Sequence, residues 1–423
     1  MKAVSGPADS EEGQSVSGSY RWWLVAMLWL VCFANYGDRQ AVFSVFPPLQ
    51  HEFSLSLVQL GIIGSAFMWT YALFGPLAGW FCDRVSHRWT IIGALLFWSA
   101  CTAATALAHG YYELVLVRAL GGLGEAFYFP AAMSMLARFH GPDTRSRAMS
   151  LHQSAVYAGS IAGGGLAAWL AERHGWRHPF EVFGAFGAAL VLLLALAMRE
   201  PEERGAAAAP RKTGESFWSG VTALLGNPPA LTLCAVFVGA NFVAAIFLSW
   251  TPEYLYQKFH MSLALAGFNG SAWLQAASIL GVVFGGVLAD RLSRRNAGGR
   301  IFAQAAGLLA GAPFLFLTGW TQSAVIVLAA MTGFGAAKGI YDANIWASLF
   351  DVVPARHRGA TGGLMNSLGW FGGGIATVAI AKAGTRFGFG ACLSATSVIY
   401  AFLGCVLLVL SRRRGRLPAA SAG

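Results

Sequence analysis

The chain is short of charge. Of its 423 residues only 11% are Asp, Glu, Lys or Arg, against 56% that are hydrophobic. A soluble globular domain carries roughly 25% charged residues, because its surface must face water. A chain this poor in charge cannot clothe itself for water, which excludes a soluble enzyme. Catalytic motifs are missing too. There is no GxxxxGK[ST] loop to support ATP-driven work, no His/Cys/Asp/Glu cluster at metal-ligand spacing and no GxSxG nucleophile elbow. The expectation is therefore no metal and no cofactor. The six cysteines form no CxxC pair, and Cys32, Cys82 and Cys101 fall in or beside apolar runs, where they read as small buried hydrophobes. Residues 1–20 have neither the basic start nor the short apolar core of a cleavable signal, and are expected to form a polar cytoplasmic tail.

What the chain does have is long apolar runs. A helix needs about 20 mostly apolar residues to cross a bilayer. Such runs place spans near 22–46, 57–82, 89–109, 113–137, 147–171, 180–198, 229–252, 264–289, 301–320, 324–347, 358–382 and 388–411. The triple glycine at 372–374 leaves the continuity of the eleventh span open. The longest polar interruption, 199–228, reads as a cytoplasmic linker between an N-terminal bundle, 21–198, and a C-terminal bundle, 229–411. A basic cytoplasmic tail, 412–423, follows. Of the 29 Lys and Arg, about 21 fall on the side of the termini, about 5 on the opposite side, and Arg39, Arg118 and Lys338 lie within spans. Cytoplasmic loops carry the excess of basic residues, so both termini are expected in the cytoplasm. The same asymmetry accounts for the net charge of +10 without a nucleic-acid partner. Compact loops suit a bacterial inner membrane.

The two halves repeat. Gly79-Trp80-Phe81-Cys82-Asp83-Arg84-Val85-Ser86-His87-Arg88 follows the second span, and Gly286-Val287-Leu288-Ala289-Asp290-Arg291-Leu292-Ser293-Arg294-Arg295 follows the eighth, with Asp, Arg, Ser and the last Arg aligned at an offset of 207. Arg145-Ser146-Arg147 and Arg356-His357-Arg358 align at 211. Parallel six-span halves are one transporter architecture, with the site near the midplane between them. The paired Gly-x-x-x-Asp-Arg-x-x-x-Arg loops resemble the signature of the major facilitator superfamily. The resemblance implies an all-α fold of twelve transmembrane helices in two six-helix bundles. It also makes Asp83, Arg84, Arg88, Asp290, Arg291 and Arg295 candidates for conformational gating, with each Asp pairing with basic residues at the membrane face.

An ionisable residue inside a span is costly and is a functional candidate by default. Asp38 and Arg39 lie in span 1, and Arg118 and Glu125 in span 4, seven apart on one helix face. Two acids and two bases can neutralise one another. A carboxylate caught between burial, which favours its proton, and an arginine, which favours its charge, is a candidate proton carrier. An anion competing for Arg39 or Arg118 would release the acid to take up a proton. Asn35-Tyr36-Gly37-Asp38-Arg39 with Gly122-Leu123-Gly124-Glu125-Ala126 resembles two groups. One is the anion:cation symporters, which import sugar acids with protons. The other is the Spinster family of lysolipid and sphingolipid transporters. Phe129-Pro130-Ala131-Ala132, Gly175-Trp176-Arg177 and Gly362-Gly363-Leu364-Met365-Asn366 lean toward the symporters, and Val45-Phe46-Pro47-Pro48-Leu49-Gln50 toward Spinster. The symporter resemblance implies that Asp38 and Glu125 carry protons, that Arg118 modulates Glu125, and that Tyr36, Arg39, Trp346 and Asn366 contact substrate.

Other polar residues are more open. Lys338 and Asp342 are four apart in span 10 and can pair; Lys338 either binds a carboxylate or is held by Asp342. Gln153 in span 5 is a further substrate-binding candidate, and its neighbour His152 reads as a satisfied polar contact. Gly159-Ser160-Ile161-Ala162-Gly163-Gly164-Gly165 resembles the glycine motif of drug–proton antiporters but lacks its proline, and reads as close helix packing. The function expected is proton-coupled symport of a small organic anion, a sugar acid or other carboxylate, by alternating access. The alternative is proton-linked transport of a lysolipid. The partners expected are that small molecule and the bilayer, with the chain working as a monomer and the proton as its coupling ion.

Overall fold

The computed structural model describes residues 19–82, 84–200 and 217–415. Asp83, residues 201–216 of the expected linker and most of both tails lie outside them. The first half comprises α1 (Tyr20–Ser44), continued by α2 (Phe46–Phe53); α3 (Leu57–Cys82); α4 (His87–Thr105); α5 (Tyr111–Ala126), continued by α6 (Tyr128–Phe139); α7 (Pro142–His174); and α8 (His178–Ala197). A short helix, α9 (Phe217–Leu225), lies within the stretch read as linker. The second half comprises α10 (Pro228–Phe259), α11 (Leu263–Ser293), α12 (Gly299–Trp320), α13 (Ala324–Asp342) with its continuation α14 (Ile345–Val352), α15 (Arg358–Phe387) and α16 (Phe389–Gly415). Among the described residues there is no strand.

Ten of these helical segments are long and apolar enough to cross a membrane. Helix α4 and α1, whose apolarity is diluted by Asn35, Asp38, Arg39 and Gln40, complete the twelve. Large apolar side chains such as Leu73, Leu77, Leu196, Leu280 and Phe402 point outward, the inside-out pattern that lipid permits and water does not. The eleventh span is one unbroken helix. Its glycines sit where neighbours press: a Cβ at Gly374 would lie 2.4 Å from the Trp69 indole nitrogen, and one at Gly372 would lie 2.8 Å from Val238.

Local chemistry explains where helices break. Pro130 has no N–H to offer the Ala126 carbonyl, and the chain tightens at Phe127 between α5 and α6. The Phe127 carbonyl there accepts the Cys82 thiol at 3.6 Å. The equivalent break in the second half lies before Asn344, whose side-chain amide donates to the carbonyls of Gly285 and Ile340, each at 3.1 Å. The ends of α7 and α15 turn at Gly175 and Gly388, with φ of +89° and +80°, where only glycine avoids strain.

Within the first half α1 lies against α7. A Cβ at Gly163 would fall 2.3 Å from Gly37 Cα, and one at Gly159 2.4 Å from the Phe33 carbonyl oxygen, so this glycine run serves close packing. The halves join through α3 with α15 and α7 with α11. The hydrogen bonds between them include Ser65 Oγ to the Gly374 carbonyl at 2.6 Å, Ser271 Oγ to the Ser160 carbonyl at 3.2 Å, and the Ala264 N–H to Glu172 at 2.8 Å. Phe46 meets Trp250 at 5.2 Å between ring centres. From Ser160 to Ala264 these contacts run toward the membrane face opposite the termini, here the far side. One of them has a specific cause. Pro252 lies inside α10 and leaves the Leu248 carbonyl without its helical donor. Gln40 of α1 supplies that donor from the other half, Nε2 to oxygen at 2.9 Å.

Two predictions follow from this packing. Gly163→Ala lowers the thermal unfolding midpoint in detergent by an overpacking cost of about 1–3 kcal/mol. Gly93→Ala, inside α4 where an added Cβ meets nothing within 4 Å, does not lower it; size-exclusion after a heat ramp reads both. Gln40→Ala strands the Leu248 carbonyl and costs the closed far side about 1 kcal/mol. With the native cysteines replaced, a reporter at Ser44→Cys should then be labelled about fivefold faster; an unchanged rate would show that this bond does not hold the gate.

Candidate functional site

Two helices of the first half carry four charges into its interior. Asp38 and Arg39 are neighbours on α1, so their side chains diverge by about 100° around the axis. Arg118 and Glu125 are two turns apart on α5, roughly 10 Å along the axis. Neither helix can therefore neutralise itself, and the charges pair across. Arg39 Nε donates to Glu125 Oε2 at 2.6 Å. Arg118 Nη1 lies 4.0 Å from Asp38 Oδ1, and the Thr102 hydroxyl of α4 donates to Asp38 Oδ2 at 2.5 Å. The four residues are 5%, 8%, 4% and 1% exposed in the order Asp38, Arg39, Arg118, Glu125. Arg118 thus stands against Asp38, whereas the sequence reading set it beside Glu125, although it remains within electrostatic range of that carboxyl.

The network is neutral in sum but incompletely bonded. Asp38 Oδ1, Glu125 Oε1 and Arg118 Nε and Nη2 are buried without hydrogen-bond partners. Leaving such groups unpaired in a low-dielectric interior is expensive, and a proton or ligand bound there would relieve part of that cost. An anion that took the donors of Arg39 would leave Glu125 buried without its hydrogen-bonded cation. That is the condition under which a carboxylate takes a proton.

Aromatic rings surround Arg39. Its guanidinium carbon lies 4.6 Å from the ring centre of Tyr36, 4.9 Å from Phe67, 4.6 Å from Tyr71 and 5.0 Å from Trp370. Phe67 also carries Arg118 at 4.9 Å. Tyr36 was expected here; Phe67, Tyr71, Trp370 and Thr102 were not. Phe67 and Tyr71 are an i, i+4 pair on α3, a spacing common in any packed helix. Trp370 comes from α15 of the other half. Asn366, half-buried one turn before it, shares its face of α15.

The remaining candidates are dispersed. Trp346 is 36% exposed and meets Phe237 edge-on at 5.4 Å. Lys338 is ion-paired with Asp342 on its own helix, and Tyr157 of α7 lies within electrostatic range of both. Gln153 is exposed on α7, on the face that continues through Tyr157 to Ser160 and its bond with the second half. His152 is fully buried at 2.8 Å from the Tyr128 hydroxyl, which donates onward to the Leu28 carbonyl. Of the expected gating residues, Asp83 lies outside the described residues. Arg84 donates to the Trp80 carbonyl at 2.9 Å and Arg88 to the Ala195 carbonyl at 2.7 Å. Asp290 lies 3.6 Å from Arg300, which also donates to Asp351 at 2.5 Å. Arg291 and Arg295 are exposed. Glu253 escaped the sequence reading because span 7 was ended at residue 252. The helix runs on to Phe259, and Glu253 is 1% exposed with Oε2 unpartnered.

The comparisons with known proteins agree with this architecture. The Major Facilitator Superfamily matches over residues 28–377. The "Probable galactarate/D-glucarate transporter" of Bacillus subtilis is 29% identical over 386 residues, covering 83% of each chain. Human "Protein spinster homolog 1" is 29% identical over 314 residues, covering 70% of this chain and 59% of that protein. A solved bacterial homologue of the human lysosomal transporter Spinster, inward-facing and unoccupied, superposes with a TM-score of 0.83 at 21% identity. It covers 95% of this chain and 100% of its own, a likeness of fold.

The crossed pairing predicts a pattern of rescue. Arg118→Gln leaves Asp38 buried without its cation and costs about 3–5 kcal/mol; adding Asp38→Asn recovers most of it and adding Glu125→Gln does not. For Arg39→Gln the rescuing partner is Glu125→Gln. Unfolding midpoints of the single and double variants check both, and rescue by the wrong acid would refute the pairing.

Proposed function

The chain belongs to the major facilitator superfamily, and from that premise we propose that it is a proton-coupled symporter of a small organic anion. The observation that carries this reading is the bond between Arg39 and Glu125: one arginine cannot fully serve both this carboxylate and a substrate carboxylate. Arg39 binds the anion's charge, Glu125 gives up the arginine and takes a proton, and Asp38, held by Arg118 and Thr102, is the second proton carrier. Tyr36, Gln153, Lys338, Trp346 and Asn366 are the remaining expected substrate contacts. Charge closes the cycle. With anion and proton both aboard, the site is as neutral as when empty, and the halves can rock. With one alone, an uncompensated charge at the midplane opposes the movement.

The excess of Lys and Arg on the side of the termini supports cytoplasmic ends, and the compact loops support a bacterial inner membrane. In that orientation the structure is closed to the outside. The paired loops at Asp83–Arg88 and Asp290–Arg295 act on the cytoplasmic face when the other side opens. The name of the Bacillus subtilis relative points to sugar acids within the organic-anion class. The rival reading, a lysolipid carrier, draws on the Spinster relatives and on an apolar groove of about 490 Å³ between α9, α10 and α15. That groove is lined by side chains such as Leu224, Leu231, Val238 and Leu368, with no charged one among its described lining residues to take a headgroup.

Reconstituted in liposomes with an inward proton gradient, the wild type is expected to accumulate a labelled carboxylate. Asp38→Asn and Glu125→Gln should each abolish accumulation, while Glu125→Gln retains exchange of substrate across the membrane. Gradient-driven uptake that survives both changes would remove the coupling mechanism, and lysolipid movement without any carboxylate signal would transfer the chain to the rival class.

A further inference from the structure

We propose, resting on the reading that Arg39 receives the anion, that the body of that anion is flat and apolar: an aryl or arylalkyl carboxylate rather than a polyhydroxylated acid. The argument starts from what surrounds the guanidinium. Four rings lie within 5.0 Å of its central carbon, from α1, α3 and α15. They also touch one another: Trp370 and Tyr71 are 5.1 Å apart between centres, and Phe67 and Tyr71 are 6.0 Å apart and stacked. The four rings thus crowd the guanidinium, whose Nε is taken by Glu125 and which also meets the Tyr71 hydroxyl, and its Nη1, buried without a partner, is what remains for a carboxylate. Whatever is attached to that carboxylate lies among Phe67, Tyr71 and Trp370.

Ring faces offer no hydrogen bond. Beyond the Tyr36 and Tyr71 hydroxyls and the Trp370 indole N–H, a chain of hydroxyls placed there would be stripped of water with too few replacement partners, and each unpaired hydroxyl lowers affinity by roughly tenfold. An aromatic ring meets these faces edge-on or offset, the favoured geometries for ring pairs. Asn35, one turn before Arg39 on α1, is 1% exposed with neither amide atom hydrogen-bonded. It adds one amide to the few polar groups of these rings, enough for a substituent and too little for a run of hydroxyls.

Trp370 is the specificity-determining residue in this account. It is the ring that the second half brings to Arg39, so it meets the substrate only when the halves are apposed as here. The ligand that stacks on it therefore favours this apposition.

The test uses the purified full chain in nanodiscs in mildly acidic buffer, with calorimetric binding of 3-phenylpropionate and of galactarate. The expected result is that 3-phenylpropionate binds at least about tenfold tighter. Trp370→Ala should shrink that ratio to about twofold, and Trp370→Phe, which keeps a ring, should restore most of it. Galactarate binding tighter than 3-phenylpropionate, and lost in Arg39→Gln, would overturn this inference and leave the symporter reading standing. A preference for 3-phenylpropionate unmoved in a folded Trp370→Ala would overturn the role given to this ring. If neither acid binds while lysophosphatidylcholine does, both readings fall together.

Discussion

Four ionisable side chains share a space between α1, α4 and α5 from which water is almost excluded, and their mutual neutralisation is the condition on which this bundle rests. Ionised groups in a medium of low polarity are tolerated only in pairs. Because neighbours on one helix diverge and residues two turns apart cannot reach each other, the pairs form between helices. Arg39 with Glu125 and Arg118 with Asp38 therefore fasten α1 to α5. On the proposed reading the same bonds serve structure and transport, which would account for the unpartnered oxygens and nitrogens of the network. A fully satisfied network would be rigid and would have no reason to respond to substrate.

The halves divide the work unequally. The first supplies all four charges of the network. The second supplies Trp370 over Arg39 and a self-contained ion pair, Lys338 with Asp342. Their meeting at the far side depends on small residues, Gly164 against Gly267 and Gly61 against Thr377, and on the carbonyl that Pro252 leaves free for Gln40. Gln40 directly follows Arg39 on α1. On the proposed cycle, a shift of α1 that accompanies a change in the charge network would be felt at the contact that closes the far side. Two-state elements of this kind let a local change of charge move whole domains.

Much was legible in the order of residues. Hydropathy located the spans, because burial in lipid demands unbroken apolar runs of a set length. The offsets between repeated loops revealed the two halves. The charges in spans 1 and 4 stood out as candidates, because such charges are costly to keep in a membrane, and the structure brings all four together. One span runs further than its apolar stretch: span 7 is expected to end near residue 252, yet α10 continues through Pro252 to Phe259 and buries Glu253.

What the order of residues could not express is how one helix is turned against another. Helical periodicity tells which residues of α1 share a face, and which of α5 do. The rotation and offset between the two helices are set by packing, here by glycines that let α1 sink against α7 and by breaks such as that at Phe127. Those few ångströms give Glu125 to Arg39 and Asp38 to Arg118. They also bring Trp370, with no sequence mark to distinguish it from other membrane tryptophans, over the face of Arg39. The identities of the charges belong to the sequence, and their partners belong to the fold, because pairing depends on distances between helices that no spacing along a single chain encodes.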